Sequence, residues 1–128
     1  MIYLYVALGG ALGSVARFWL SNAMAVAAGS EFPWGTLLIN VLGSFVISFF
    51  GFLTGTAPRF AVSNEARIFV TVGLCGGFTT FSSFSLQTVE LIRTGQPGRA
   101  GLYAAASVIL CLGACGLGFT SASLIAKN

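Results

Sequence analysis

Long apolar runs cover residues 3 to 28, 33 to 57, 66 to 92 and 100 to 126, and only short polar stretches interrupt them, around Ser30 to Glu31, Ala57 to Asn64 and Thr94 to Arg99. Each run reaches the ~20 residues a helix needs to cross the ~30 Å hydrocarbon layer of a bilayer. The pattern predicts an all-α integral membrane protein whose four transmembrane helices form one domain over residues 1–128. The connections leave no room for a soluble catalytic or ligand-binding domain. No basic stretch precedes the first run and Arg17 lies inside it, which fits a mature span and not a cleaved signal peptide.

Composition agrees. The chain is 56% hydrophobic and 7% charged, with a mean hydropathy of +0.93, whereas about a quarter of the residues in soluble domains are charged. The net charge of +3 comes from six basic residues scattered singly, so no patch exists for nucleic acid. There is no histidine, and the only carboxylates, Glu31, Glu65 and Glu90, fall in connections or near span ends. General acid–base catalysis, metal-assisted hydrolysis and a proton relay within the membrane therefore lack their groups. Cys75, Cys111 and Cys115 lie within spans and read as small apolar side chains, not as disulfide partners or metal ligands.

Alternating spans put Arg59, Arg67 and Lys127 on one side of the membrane and Arg93 and Arg99 on the other. Orientation follows the excess of Lys and Arg in short loops, and three against two barely specifies a direction. Such a chain either inserts both ways, which permits an antiparallel dimer, or has one topology with a weak signal.

Polar and small residues inside the spans carry the remaining information. Gly9 and Gly13 make a small-xxx-small pair for close helix packing, as do Gly51 and Gly55. Arg17 costs at least a few kcal/mol near mid-span unless it snorkels, meets water or finds partners; it faces an anion vestibule, ties its helix to backbone carbonyls, or, if the span starts nearer Gly10, is an end anchor. Pro33-Trp34 marks a helix start at the interface. Asn40, in an apolar stretch, is either an interhelical hydrogen-bonding group or a pore-lining amide donor. In the third span, Gly76-Gly77 is followed by Thr79, Thr80, Ser82, Ser83 and Ser85, a combination that weakens a helix and predicts a break. Such a break exposes carbonyls able to coordinate a cation. Phe81 and Phe84 are three apart and share a face if the helix resumes there. The last span is expected to begin after a Gly95-Gln96-Pro97-Gly98 turn; Tyr103, Ser107, Cys111 and Cys115 form one stripe along it, either a polar track or a small-residue seam.

The order Gly9-Gly10-Ala11-Leu12-Gly13 with Arg17, then Gly35-Thr36-Leu37-Leu38-Ile39-Asn40, then Gly76-Gly77-Phe78-Thr79-Thr80-Phe81-Ser82-Ser83-Phe84-Ser85 resembles the CrcB (Fluc) fluoride channels. The third motif is the most specific. The resemblance implies passive fluoride export across the bacterial inner membrane by an antiparallel, dual-topology homodimer with two anion pathways. It implies a structural sodium ion at the dimer interface, held by backbone carbonyls of Gly76 and Thr79. It also implies a fluoride pathway lined by Asn40, Phe81, Phe84, Tyr103, Ser107, Thr80 and Ser83, with Arg17 near a vestibule. Cys111 stands where a hydroxyl is expected, which puts the track beyond Ser107 in question. Two other readings remain: a small multidrug-resistance-type exporter, which would need a membrane-embedded glutamate that the first span lacks, and a noncatalytic membrane assembly subunit.

Overall fold

Glycine and proline mark most of the helix ends. The first helix, Ile2–Ala28, stops at Gly29, whose φ of 83° is open to glycine and strained for other residues. The second, Trp34–Thr56, starts directly after Pro33. The third span, Asn64–Arg93, begins at Ser63, whose side chain accepts from the Ala66 N–H at 3.1 Å as an N-cap. The last helix, Pro97–Lys127, carries proline in its first turn. There its missing N–H costs nothing and its fixed φ suits the helix. Pro97 and Gly98 are thus already helical, and the expected turn is confined to the residues before them.

This architecture is a computed structural model describing residues 1–128. All four spans are long and apolar enough to cross a membrane. Only 17 of 128 residues are buried, so packing within the chain does not hide its apolar surface. Leu8, Leu12, Val15, Phe18 and Trp19 on the first helix, and Ile109, Leu112 and Phe119 on the last, are exposed, as a lipid-facing surface requires.

Backbones approach where glycines meet. A Cβ on Gly9 would lie 2.9 Å from the Gly73 Cα, and one on Gly77 would lie 3.0 Å from the Gly10 Cα. Gly13 faces the backbone of Leu74 and Phe78. The first helix and the third span are therefore in backbone contact, which no side chain would allow. The second and last helices pack against each other at Gly118, which faces Ser48 and the Phe45 carbonyl, and through the ring pair Phe52–Phe119 at 4.4 Å.

Gly51 and Gly55 do not make the expected seam. A Cβ on Gly51 would meet nothing, and one on Gly55 would meet the Arg67 guanidinium at 3.1 Å. Arg67 instead reaches back to the second helix, donating to the Gly51 carbonyl at 3.0 Å and to Thr54 Oγ1 at 3.3 Å. Gly55 leaves room for that reach. Arg59 binds the C-terminal end of the last helix, donating to the Ile125 carbonyl at 2.6 Å, where a cation is favoured by the helix dipole.

The third span is not uniformly α-helical. Asn64–Ile68 is α, Phe69–Cys75 winds as a π-helix, and Gly76–Phe78 returns to α. Thr79 (φ −79°, ψ 156°) and Thr80 (φ −151°, ψ 112°) are extended, and helix resumes over Phe81–Arg93.

Candidate functional site

The extended residues Thr79 and Thr80 organise the polar groups around them. Asn40 on the second helix binds the backbone of Thr80 with both ends of its amide: Oδ1 accepts from the Thr80 N–H at 2.8 Å, and Nδ2 donates to the Thr80 carbonyl at 3.1 Å. Thr80 then caps the resumed helix, its Oγ1 accepting from the Ser83 N–H at 3.1 Å. The Thr80 hydroxyl donates to Ser83 Oγ at 3.1 Å. In an uninterrupted helix the Thr80 N–H would bond the Gly76 carbonyl and the Ser83 N–H the Thr79 carbonyl. Both donors are diverted, so the Gly76 and Thr79 carbonyls lose those ladder partners. Gly77 is treated differently: its carbonyl accepts from Arg17 Nε at 3.1 Å. Among the readings open to Arg17, the structure has it tying the first helix to a third-span carbonyl.

A cavity of about 420 Å³ opens beside this segment. Its lining includes Asn40, Gly76, Thr79, Thr80, Phe81, Phe84, Ser107 and Cys111, and no acidic or basic side chain. Gly43 is needed here, because a Cβ on it would collide with the Thr79 methyl group. The Phe81 and Phe84 rings lie 5.4 Å apart on the resumed helix. Phe81 is 77% exposed on the single chain. Ser107 is 7% exposed, and its hydroxyl is buried without a hydrogen-bond partner. Burying a hydroxyl unpaired costs on the order of 1–3 kcal/mol, so this oxygen calls for a partner that the single chain does not provide.

Tyr103 links this cavity to a second one. It is 0% exposed, its ring lies 5.1 Å from Phe84 and 5.5 Å from Phe32, and its hydroxyl donates to Gln87 Oε1 at 2.8 Å. Gln87 lines an outer cavity of about 400 Å³ with Ser21, Glu31, Thr36, Glu90 and Thr94 among its other residues. Glu31 faces Arg99 at 3.7 Å and Glu90 pairs with Arg93 at 2.9 Å, both at one end of the spans. Contacts thus run from the outer cavity through Gln87 and Tyr103 to the Phe84 ring, which lines the first cavity with Ser107 and Thr80.

Asn40, Thr80, Phe81, Phe84 and Ser107 come together at one cavity, with Gly76 and Thr79 on its wall. Tyr103 adjoins it, Ser83 supports Thr80 from the resumed helix, and Arg17 is held against Gly77. Gln87 lies outside the candidate set drawn from the sequence, and Arg67 enters it only as a charge that bears on orientation. Gln87 lies four residues from Ser83 and three from Phe84, so its position on the hydroxyl-rich face was readable. Arg67 gave no such signal, since its reach depends on where the second helix lies.

Geometry and composition together define a multi-pass membrane protein with a neutral, hydroxyl- and phenyl-lined cavity beside a glycine-threonine interruption. The chain belongs to the CrcB family: residues 4–119 match the family described as CrcB-like protein, Camphor Resistance (CrcB). It is similar to a protein named fluoride-specific ion channel FluC from Methylocella silvestris, 57% identical over 125 residues covering 98% of this chain and 95% of the relative. Proteins of the same name from Opitutus terrae (56% identical; 94% and 92% covered) and Rhodospirillum rubrum (54% identical; 98% and 97% covered) are also similar to it.

Proposed function

We propose that this chain is a fluoride-selective channel that lets fluoride leave the cytoplasm passively across the bacterial inner membrane. The observation that carries the reading is the cavity lined by neutral donors and phenyl rings at membrane depth, in a chain similar over nearly its whole length to proteins named for fluoride conduction. Fluoride is small and strongly hydrated, so a selective path must replace its water with closely spaced donors. The Ser107 hydroxyl is free, and one hydrogen of the Asn40 amide remains after its bond to Thr80. The Tyr103 hydroxyl donates to Gln87 Oε1 in this arrangement and would serve the anion only by turning away from Gln87. Phe81 and Phe84 contribute the positive edge of their ring quadrupoles; their faces would repel an anion. Neutral donors hold an anion without trapping it as a fixed cation would, and conduction needs that compromise.

The working unit in this reading is an antiparallel homodimer with two pathways. The near balance of basic residues on the two sides supports it, as does the exposure of Phe81, which leaves that ring available to a partner subunit. A structural sodium ion fits the residues present. Carbonyl oxygens are apt ligands for a hard cation, and Gly76 and Thr79 are the two residues whose carbonyls lose their ladder donors to Asn40 and Thr80. Two subunits would supply four such oxygens. When bound, the ion would neutralise these carbonyl dipoles and join the two interruptions, while Asn40 and Arg17 hold the surrounding backbone.

The test is efflux from liposomes that contain the purified chain, with fluoride and chloride followed separately in sodium. Rapid fluoride loss with chloride retained is expected. Transport that requires a proton gradient would identify an exporter, and absence of flux from a folded, dimeric protein would identify an assembly subunit; either result overturns the channel reading.

A further inference from the structure

The cavity lined by Ser107, whose buried hydroxyl lacks a partner, is also lined by two cysteines. Cys111 lies one helical turn beyond Ser107 and lines the cavity from the last helix, while Cys75 lines it from the third span. The two differ in access: Cys75 is 4% exposed, and Cys111 is half-buried. Cys115, on the same stripe, does not line the cavity. A reachable thiol and a buried hydroxyl that still lacks a partner therefore share one space of about 420 Å³.

We propose that Cys111 is a modification site at which a small, neutral sulfur electrophile closes this passage. The inference rests on the conduction reading of the cavity. A small, neutral reagent suits this space: the cavity is about 420 Å³, and an organic ion would incur a desolvation cost that donors spaced for a small anion do not offset. With methyl methanethiosulfonate, the Cys111 thiolate attacks the methylthio sulfur and a new S–S bond forms. The bond between that sulfur and the sulfonyl sulfur breaks, methanesulfinate leaves with the electron pair, and the thiol proton passes to water. The product puts a methylthio group next to Ser107 and removes the S–H donor from the track. Cys75 is shielded by burial and reacts more slowly.

The experiment uses the full chain in liposomes exposed to methyl methanethiosulfonate, with peptide mass spectrometry reporting which cysteines are labelled and an electrode reporting fluoride efflux. Labelling of Cys111 with loss of most of the efflux, reversed by dithiothreitol, is expected. Cys111→Ser should keep its own untreated flux under the same exposure, whereas Cys75→Ser and Cys115→Ser should be inhibited like the parent. Should the serine variant fold poorly, dithiothreitol reversal in the unmutated chain still carries the test. The inference is overturned if Cys111 stays unlabelled, if it is labelled and flux persists, or if Cys111→Ser is inhibited as strongly as the parent. Absence of fluoride flux before any treatment would count against the channel reading instead, while the labelling result stands on its own.

Discussion

Asn40→Ala removes both hydrogen bonds that hold Thr80 in its extended conformation. A net intramolecular hydrogen bond contributes about 1 kcal/mol, and interhelical bonds in membranes average about 0.6 kcal/mol. The two bonds together thus contribute about 1–2 kcal/mol. A larger share comes from the Thr80 N–H, which has no ladder partner in the extended conformation and would be left unsatisfied at about 1–3 kcal/mol. The loss is therefore about 2–5 kcal/mol, unless Thr80 swings back to bond the Gly76 carbonyl and the third span heals into a continuous helix. Healing would recover the bond but take that carbonyl away from a cation. Both routes disturb the passage, so Asn40→Ala is expected to melt several degrees lower in detergent, or to hold its melting point and lose sodium dependence, and in both cases to conduct fluoride poorly. Asn40→Asp separates the roles further: its carboxylate still accepts from the Thr80 N–H, but it places a negative charge at the cavity and should suppress flux strongly. Thermal melting and fluoride-electrode efflux check these outcomes. Parent-like melting and parent-like flux for Asn40→Ala, or full flux for Asn40→Asp, would refute the reasoning and leave Asn40 as packing.

Four further outcomes are expected. Phe81→Ile and Phe84→Ile remove the ring edges, so each should cut fluoride efflux several-fold while the proposed dimer survives on a sizing column; unchanged flux would take that ring out of the pathway. Arg17→Gln loses the guanidinium bond to the Gly77 carbonyl, a charge-assisted contact of about 1.5–3 kcal/mol, and should lower the melting temperature more than it lowers the flux of the folded fraction. Gly13→Ala would drive a Cβ into the third-span backbone, whereas Gly101→Ala would place one in open space; the first should abolish folded yield and the second should match or exceed the parent, given the ~1 kcal/mol helix advantage of Ala over Gly. Exchanging sodium for N-methylglucamine throughout purification should lower melting temperature and flux if the Gly76 and Thr79 carbonyls hold the ion; indifference to sodium would remove it from the proposal.

Part of this was legible from the residues alone. The four spans, their near-neutral interior and the lack of an intramembrane acid follow from run length and composition, because a bilayer imposes those terms on any chain that crosses it. The small-residue pair Gly9 and Gly13 was readable for the same reason. Gly51 and Gly55 have the same spacing and read identically, yet one leaves its carbonyl to Arg67 and the other leaves space for that guanidinium. Spacing reports which residues share a helix face, not which neighbour that face meets. Pro97 was misplaced into a turn because proline marks both turns and helix first turns, and only the backbone distinguishes them.

Run length and composition set the solvent of this protein and its set of groups: apolar runs that demand lipid, and hydroxyls, amides and phenyl rings that suit an anion. Tertiary structure decided which of those groups remain free. Asn40, Arg17 and Ser107 are each a polar residue in an apolar run, but the first two are bound to the backbone of Thr80 and Gly77, and only the third is left with a buried, unpaired hydroxyl. Hydrogen bonds between residues 40 or 60 positions apart depend on how the helices lie against one another, and no local pattern records that.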